Sequence, residues 1–269
     1  MTMISHNITR TRLSTALPAN ARLKRPGDRR SLSRSATRAL DVLEYFGATQ
    51  RPLRAIEISA ALSLHPSTTD QLLKTMVDSA HLVFDAHTKR YFPSPRLVGF
   101  GAWLAAGYYG GDRVRGLLKA LHAATGENIT LSTPNDTFMQ VVDAVWRAEC
   151  VDLAERGLRV PMFGSAIGGA YLATLGDPEL KELIDRARLP AADAPEVLEG
   201  IRRIRADGYA FGGMSAEDDI WSVSMALPQP SLGVPLVIGL AGPSKRVEAN
   251  KLAYAARMGD AIAHWVRSA

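Results

Sequence analysis

Apolar side chains recur at helical spacing through the first third of this chain, and then the rhythm shortens to strand length. Ala36, Ala39, Leu40, Leu43 and Phe46 predict a first helix, with Ser33 or Ser35 as its N-cap and Gly47 just past its end. Pro52 marks a turn. Ala55, Ile58 and Leu62 then define one face of a second, short helix. The segment Ser63-Leu64-His65-Pro66 leads to a third helix, which Pro66 can open at its first position. There Leu72, Leu73, Met76 and Val77 point inward, while Ser67, Asp70, Gln71 and Lys74 form the opposite, polar face. Two apolar runs follow, Leu82-Val83-Phe84 and Arg90-Tyr91-Phe92, and Asp85-Ala-His-Thr-Lys89 joins them as a hairpin loop.

Beyond this point helices and strands alternate. Residues 94–109 predict a linker helix whose stripe of Leu97, Phe100, Leu104 and Tyr108 is either a core face or a dimer contact. Gly110-Gly111 breaks it, and Asp112 caps a further helix that Gly126 ends. Strands are expected at 128–133 and 138–145, around the turn Pro134-Asn135-Asp136, and again at 209–212, 220–227 and 235–240. Helices are expected at 167–175, 178–188, 195–206 and 245–266. The implied fold class is α+β, with an antiparallel sheet carrying helices on its faces. The organisation reads as a basic arm (1–31), a winged helix-turn-helix (32–93), a linker helix (94–110) and a larger domain (111–269).

Charge sharpens this division. The formal net charge is +5, yet residues 1–96 hold 15 Lys+Arg against 7 Asp+Glu, a net +8, and residues 97–269 hold 17 against 20, a net −3. A basic head on a mildly acidic body fits a polyanionic partner for the head. Residues 1–31 are Arg-rich without periodicity: either a mobile arm adding phosphate contacts or an over-annotated translation start. No long apolar run suggests a membrane span or a secretory signal, and the single cysteine, Cys150, cannot form an internal disulfide, so a cytoplasmic location is expected. Cys150 reads as an inert thiol, with Arg147 the near cation in sequence.

Two short helices set around a tight turn and followed by a hairpin are what a protein needs to lay one helix in the major groove of double-stranded DNA. Ser67, Thr68 and Gln71 are the candidates for base edges, Gln being able to pair bidentately with adenine. Lys74, Lys89 and Arg90 are the candidates for phosphates. Asp70 is odd, because a carboxylate repels phosphate unless it accepts from a cytosine amine. The bland alternative for each is a solvated helix face. Catalysis is not expected: Ser165 lacks a G-x-S-x-G elbow, and no H-E-x-x-H, Walker A or C-x-x-C is present. The six histidines are dispersed, so no metal or cofactor is expected either.

The order of these features resembles the IclR family of bacterial transcriptional regulators. Arg38-Ala-Leu-Asp-Val-Leu43, Ser67-Thr-Thr-Asp-Gln-Leu-Leu-Lys-Thr-Met76 and Arg90-Tyr-Phe-Pro-Ser-Pro-Arg-Leu-Val-Gly99 are similar to its opening helix, recognition helix and wing exit. Leu158-Arg-Val-Pro-Met-Phe-Gly-Ser-Ala-Ile-Gly-Gly-Ala-Tyr-Leu-Ala173, Gly208-Tyr-Ala210 and Ala241-Gly-Pro243 match later landmarks in order. The resemblance implies a GAF-like, profilin-like effector domain, a small-molecule effector and a homodimer or dimer of dimers. It departs from the family at Gln71, Ser63 and Gly169, where Arg, Gly and Lys are usual. The implied effector residues are Phe163, Ser165, Ala166 and Gly168 at one corner, where Gly164–Gly169 either binds an anion or simply needs glycine to turn. Met214, Trp221, Ser222, Gly239 and Ala241 complete the set, with Trp146 as a further wall. Only Ser222 keeps a hydroxyl near its landmark, and Gly212 stands where an acid is usual, which implies a larger or less polar effector. The alternatives are an architectural DNA-binder without effector and a small-molecule enzyme.

Overall fold

The computed structural model describes residues 33–107, 113–146, 157–213, 219–228 and 233–268. The expectations for the arm, the Gly110-Gly111 break, the Asp112 cap, Cys150 and Met214 lie outside them. The chain divides into two compact units, one ending at Gly107 and the other beginning at Tyr108.

The smaller unit holds α1 (Arg34–Thr49), α2 (Ala55–Ala61), α3 (Pro66–Asp78), the hairpin β1 (Leu82–Asp85) and β2 (Arg90–Pro93), and α4 (Arg96–Gly107). Ser33 caps α1, its hydroxyl accepting from the Ala36 N–H. Helix α1 does not stop at Gly47. It runs on to Thr49 and closes at Gln50 in the left-handed region (φ 51°), whose N–H reaches the Phe46 carbonyl. The Thr49 hydroxyl, bonded to the Tyr45 carbonyl, belongs to the turn that Gly47 was expected to end. Val42, Phe46, Leu53, Ile58, Leu73, Met76, Leu82 and Tyr91 make one core from α1, α2, α3 and the hairpin. Leu53 pairs with Tyr91 as an isolated bridge and so draws the connection before α2 onto the hairpin.

The larger unit contains α5 (Arg113–Thr125), β3 (Asn128–Asn135), β4 (Phe138–Val145), β5 (Arg159–Pro161), α6 (Ala166–Leu172), α7 (Asp177–Ala187), α8 (Ala194–Asp207), β6 (Ala210–Gly213), β7 (Ile220–Ala226), β8 (Val237–Pro243) and α9 (Ser244–Arg267). The described strands form an antiparallel sheet in the order β5-β4-β3-β8-β7-β6. Helix α6 is shorter than expected, and β8 starts at Val237 rather than Pro235. Pro235 has no N–H for a ladder, and its carbonyl instead accepts from the Thr133 hydroxyl. Strand β5, only three residues long, had no periodicity to announce it.

Alternation along each strand sends side chains to two cores. Met139, Val141, Val160, Ala210, Val237 and Ala241 face α6, α7 and α8. Ile129, Leu131, Val223, Ile238 and Leu240 face α5 and α9. A bulge between Leu131 and Ser132 keeps this segregation, and Val142, the extra residue on β4, is exposed.

A buried acid fastens the second layer. Glu127 is 2% exposed. Its carboxylate accepts from Arg246 Nη2 at 2.7 Å and from the Tyr254 hydroxyl at 2.9 Å, both on α9. Its own carbonyl faces His122 of α5 at 2.7 Å. Burial, then the neighbouring carboxylate, pushes the Tyr254 phenol up, so it stays protonated as the donor. Gly242 leaves room for this acid, since a Cβ there would stand 2.5 Å from Glu127 Oε2. Glu127→Ala is therefore expected to cost about 2–3 kcal/mol in urea unfolding, because a buried phenol loses its partner and half-exposed Arg246 returns to water. Glu127→Gln should lose less, since it can still accept from Tyr254.

Candidate functional site

The smaller unit presents α3 through a strained turn. Ser63, in place of a glycine, holds φ 50°, a conformation that costs a non-glycine residue about 1–2 kcal/mol. Ser63 N–H and Leu64 N–H bond back to Ala60 and Ser59, and Ser59, buried, returns its hydroxyl to the Leu64 carbonyl. His65 then caps α3, accepting from the Ser67 N–H and lying 2.8 Å from the Ser67 hydroxyl. Of the residues expected at base edges, Ser67 and Gln71 are exposed and Thr68 is half-buried. The Gln71 amide has no side-chain partner among the described residues. Thr69, between them, is fully buried with its hydroxyl on the His65 carbonyl.

Asp70 is explained by its neighbour one turn on. Its carboxylate meets Lys74 Nζ at 2.7 Å, and this hydrogen bond holds the Lys74 ammonium above its usual range. The pair is solvent-exposed, so it stabilises the fold little. It does place an acid beside the cation expected on phosphate.

The wing tip is built by Asp85, whose carboxylate accepts from the Thr88 hydroxyl and from the His87 and Thr88 N–H groups. Those bonds, the hydroxyl's first, hold the Asp85 carboxyl below its usual range. Lys89 follows, exposed, at φ 55°. Arg90, expected on phosphate, also makes contacts within the protein. Its Nη1 donates to the Pro52 carbonyl at 2.8 Å and lies 3.9 Å from Glu57. Glu57 also accepts from the Arg54 N–H and pairs with Arg51 at 2.8 Å. The backbone bond, then Arg51, keeps its carboxyl low. Arg90 thus braces the wing against the start of α2.

In the larger unit the expected effector residues separate into two groups. Phe163, Ala166, Gly168, Gly239 and Ala241 lie in the layer between α6 and the sheet, and so does Ser222. Ser165 is 4% exposed and caps α6: its hydroxyl donates to the Pro161 carbonyl and accepts from the Gly168 N–H. Trp221 does not join them. Strand alternation turns it to the opposite face, where it packs edge-on to Phe211 beside the α5–α9 core. Trp146 packs partly buried on the α6 side. Gly212, where an acid was expected, has open space around its Cα.

Three residues of this layer were not anticipated. Thr130, Ser132 and Ser224 are all buried under α6, in rows with Gly239 and Ser222. Ser222 and Ser224 hydroxyls are 3.2 Å apart, Thr130 donates to the Gly239 carbonyl, and the Ser132 hydroxyl has no partner. Their signal was present as polar-apolar alternation in Asn128-Ile-Thr-Leu-Ser132, a pattern that ordinarily marks a solvent face.

A winged helix with a polar reading face, joined to an antiparallel-sheet unit holding a layer of buried hydroxyls, defines a DNA-binding regulator with a separate sensing domain. Residues 35–83 match the family described as IclR helix-turn-helix domain, and residues 112–267 match Bacterial transcriptional regulator IclR C-terminal. The chain belongs to the IclR family of transcriptional regulators. It is 24% identical over 226 residues to the transcriptional regulator XynR of Escherichia coli K12, covering 81% of this chain and 90% of that one. It is 25% identical over 236 residues to BhcR of Paracoccus denitrificans, covering 85% and 83%. Its fold is similar to the Thermotoga maritima IclR structure (TM-score 0.58, 18% identity, covering 87% and 98%). It is also similar to an IclR homolog from Microbacterium hydrocarbonoxydans complexed with 4-hydroxybenzoate (TM-score 0.53, 16% identity, covering 87% and 100%).

The Asp70–Lys74 pair yields a test. Asp70→Asn removes a negative charge from the reading face and releases Lys74 toward phosphate. Affinity for random duplex should rise several-fold, and the slope of log K against log salt should steepen by about one. Fluorescence anisotropy at four salt concentrations measures both; an unchanged slope would sink this reading of the pair.

Proposed function

We propose that this chain represses or activates promoters by binding operator DNA through α3, under control of a small metabolite held between α6 and the sheet. The observation that carries the first half is the exposed, unpartnered Gln71 amide on a helix fixed by the Ser63 turn. Ser67, Thr68 and Gln71 read base edges, and Lys74, Lys89 and Arg90 meet phosphates. Gln71 replaces a cation, so base readout here relies less on guanine than an arginine would. The 4-hydroxybenzoate bound by the Microbacterium protein supports a small-molecule effector for this chain as well.

The working boundaries are 32–93 for the winged helix, 94–110 for the linker helix and 111–269 for the effector domain. The active species is a homodimer or a dimer of dimers. Helix α4 supports this: it is apolar along its length, with Val98 71% and Phe100 48% exposed. The protein works in the cytoplasm and carries out no catalysis, in keeping with the buried helix-cap role of Ser165. Among the described residues no helix is long and apolar enough to cross a membrane.

The test is anisotropy binding to labelled DNA from immediately upstream of the gene, against scrambled duplex at two salt concentrations. A preference of about a thousandfold, falling steeply with salt, is expected. Gln71→Ala should lose about 1–3 kcal/mol of that preference while keeping affinity for random duplex. A metabolite screen reads the second half, as a gain in melting temperature coupled to a change in the DNA signal. Equal binding to both duplexes, with and without every metabolite tried, would overturn the proposal.

A further inference from the structure

On the sheet face opposite the hydroxyl layer, at its β5 edge, stands a buried guanidinium without a counter-charge among the described residues. Arg159 is 9% exposed. Alternation along β5 turns it away from Val160, which lies in the α6 core. Its guanidinium carbon sits 4.3 Å from the centre of the Phe138 ring, so one flat side is covered by an aromatic. Nη2 donates to the Asn135 carbonyl at 3.3 Å. Nε is enclosed and has no hydrogen-bond partner. No carboxylate among the described residues pairs with it.

This is an unusual state for arginine. A guanidinium does not deprotonate at working pH, so it cannot escape the cost of burial as a lysine can. Buried charges are ordinarily paired, and a cation–ring contact with one carbonyl leaves most of the desolvation cost standing. Directly across the β4–β5 ladder is Gln140, on the same face. Its amide oxygen is taken by Asn135 Nδ2 at 2.6 Å, which leaves its own NH₂ group to donate. Arginine and amide donors therefore stand side by side on one face of the β4–β5 pair.

We propose that Arg159, with Gln140, binds a small monocarboxylate. The planar fork matches carboxylate geometry. Charge selects within the anions: a monocarboxylate neutralises one arginine, whereas a phosphate or sulfate dianion would leave a net negative charge buried. At 9% exposure the guanidinium is largely shielded from water, which strengthens its attraction for a carboxylate. This site does not depend on the effector reading, because it lies on the other face of the sheet from Ser222 and Thr130.

Acetate is the probe. The full chain is prepared in Tris chloride and titrated with sodium acetate at fixed ionic strength, with sodium chloride and sodium sulfate as controls. The melting temperature is expected to rise saturably with acetate and not with the controls. Arg159→Met should abolish the rise. Without acetate it should melt at or above the wild-type temperature, since an apolar side chain replaces an unpaired charge. Gln140→Leu, at a half-buried position, should shift the saturation point several-fold higher and serves if Arg159→Met does not fold. Equal melting in acetate and chloride, or a rise retained in Arg159→Met, or an unmoved saturation point in Gln140→Leu, would overturn the assignment. Operator binding, measured in parallel, separates this outcome from the fate of the regulatory reading.

Discussion

The close approach of α6 to the sheet is the constraint on which the larger unit depends. Gly168 carries it on one side: a Cβ there would lie 1.8 Å from the Met162 carbonyl oxygen, so no other residue fits. Gly239 carries it on the other, where a Cβ would meet Thr130 Oγ1 at 2.8 Å and Ile167 at 3.2 Å. Both are contacts with neighbours that cannot easily yield, since one is backbone and the others are buried. Once the helix lies this close, the strand positions beneath it must be small. That requirement explains why Thr130, Ser132, Ser222, Ser224, Gly239 and Ala241 occupy a layer where leucine and valine would otherwise stand. Ser165 completes the seat by tying the start of α6 to the Pro161 carbonyl at the end of β5.

A comparable economy governs the smaller unit, where one carboxylate organises the cations. Glu57 closes the start of α2 through the Arg54 N–H and gathers Arg51 and Arg90 around it. Each exposed pair is weak by itself. Their value is geometric: the Arg90–Pro52 bond and the Leu53–Tyr91 bridge hold the wing to the segment before α2. The wing is thus tied to that segment by one backbone bridge and one arginine side chain. On the reading face the same logic runs in reverse. Lys74 is held by Asp70, so the two opposite charges on α3 sit side by side and largely cancel.

Much of this was legible in the sequence, and the exceptions have a common cause. The three helices of the winged unit, α5 and α9 follow from apolar spacing, because each buries a single stripe: Val247, Tyr254, Ala255, Met258, Ile262 and Trp265 all lie along one side of α9. The hairpin and β3, β4 and β7 were equally readable from alternation. What periodicity could not supply was which face of a strand a partner covers. Polar alternation in β3 reads as a wet face, yet α6 buries it. Trp221 sits beside Ser222 in sequence, and for that reason alone the two cannot line one cavity. The internal contact of Arg90 was hidden for the same reason. A basic residue at the wing's base is indistinguishable in sequence from one at its tip, and only the fold brings the Pro52 carbonyl within reach.

The separation of cores bears on how such a protein can be switched. The winged unit's core draws on residues from Val42 to Tyr91, and the two cores of the larger unit draw on residues from Val114 onward. Each unit thus has a described core of its own. A ligand shifts an equilibrium only by the difference in its affinity for the two states. In the larger unit that difference has a natural source. The α6 layer is tight where Gly168 and Gly239 sit and open at Gly212, and the Ser132 hydroxyl is buried without a partner. A ligand that satisfies this hydroxyl must also displace packed atoms, among them Ile167 over Gly239. Binding energy would then be spent on displacing α6, and close-packed arrangements that resist small displacements answer in discrete steps.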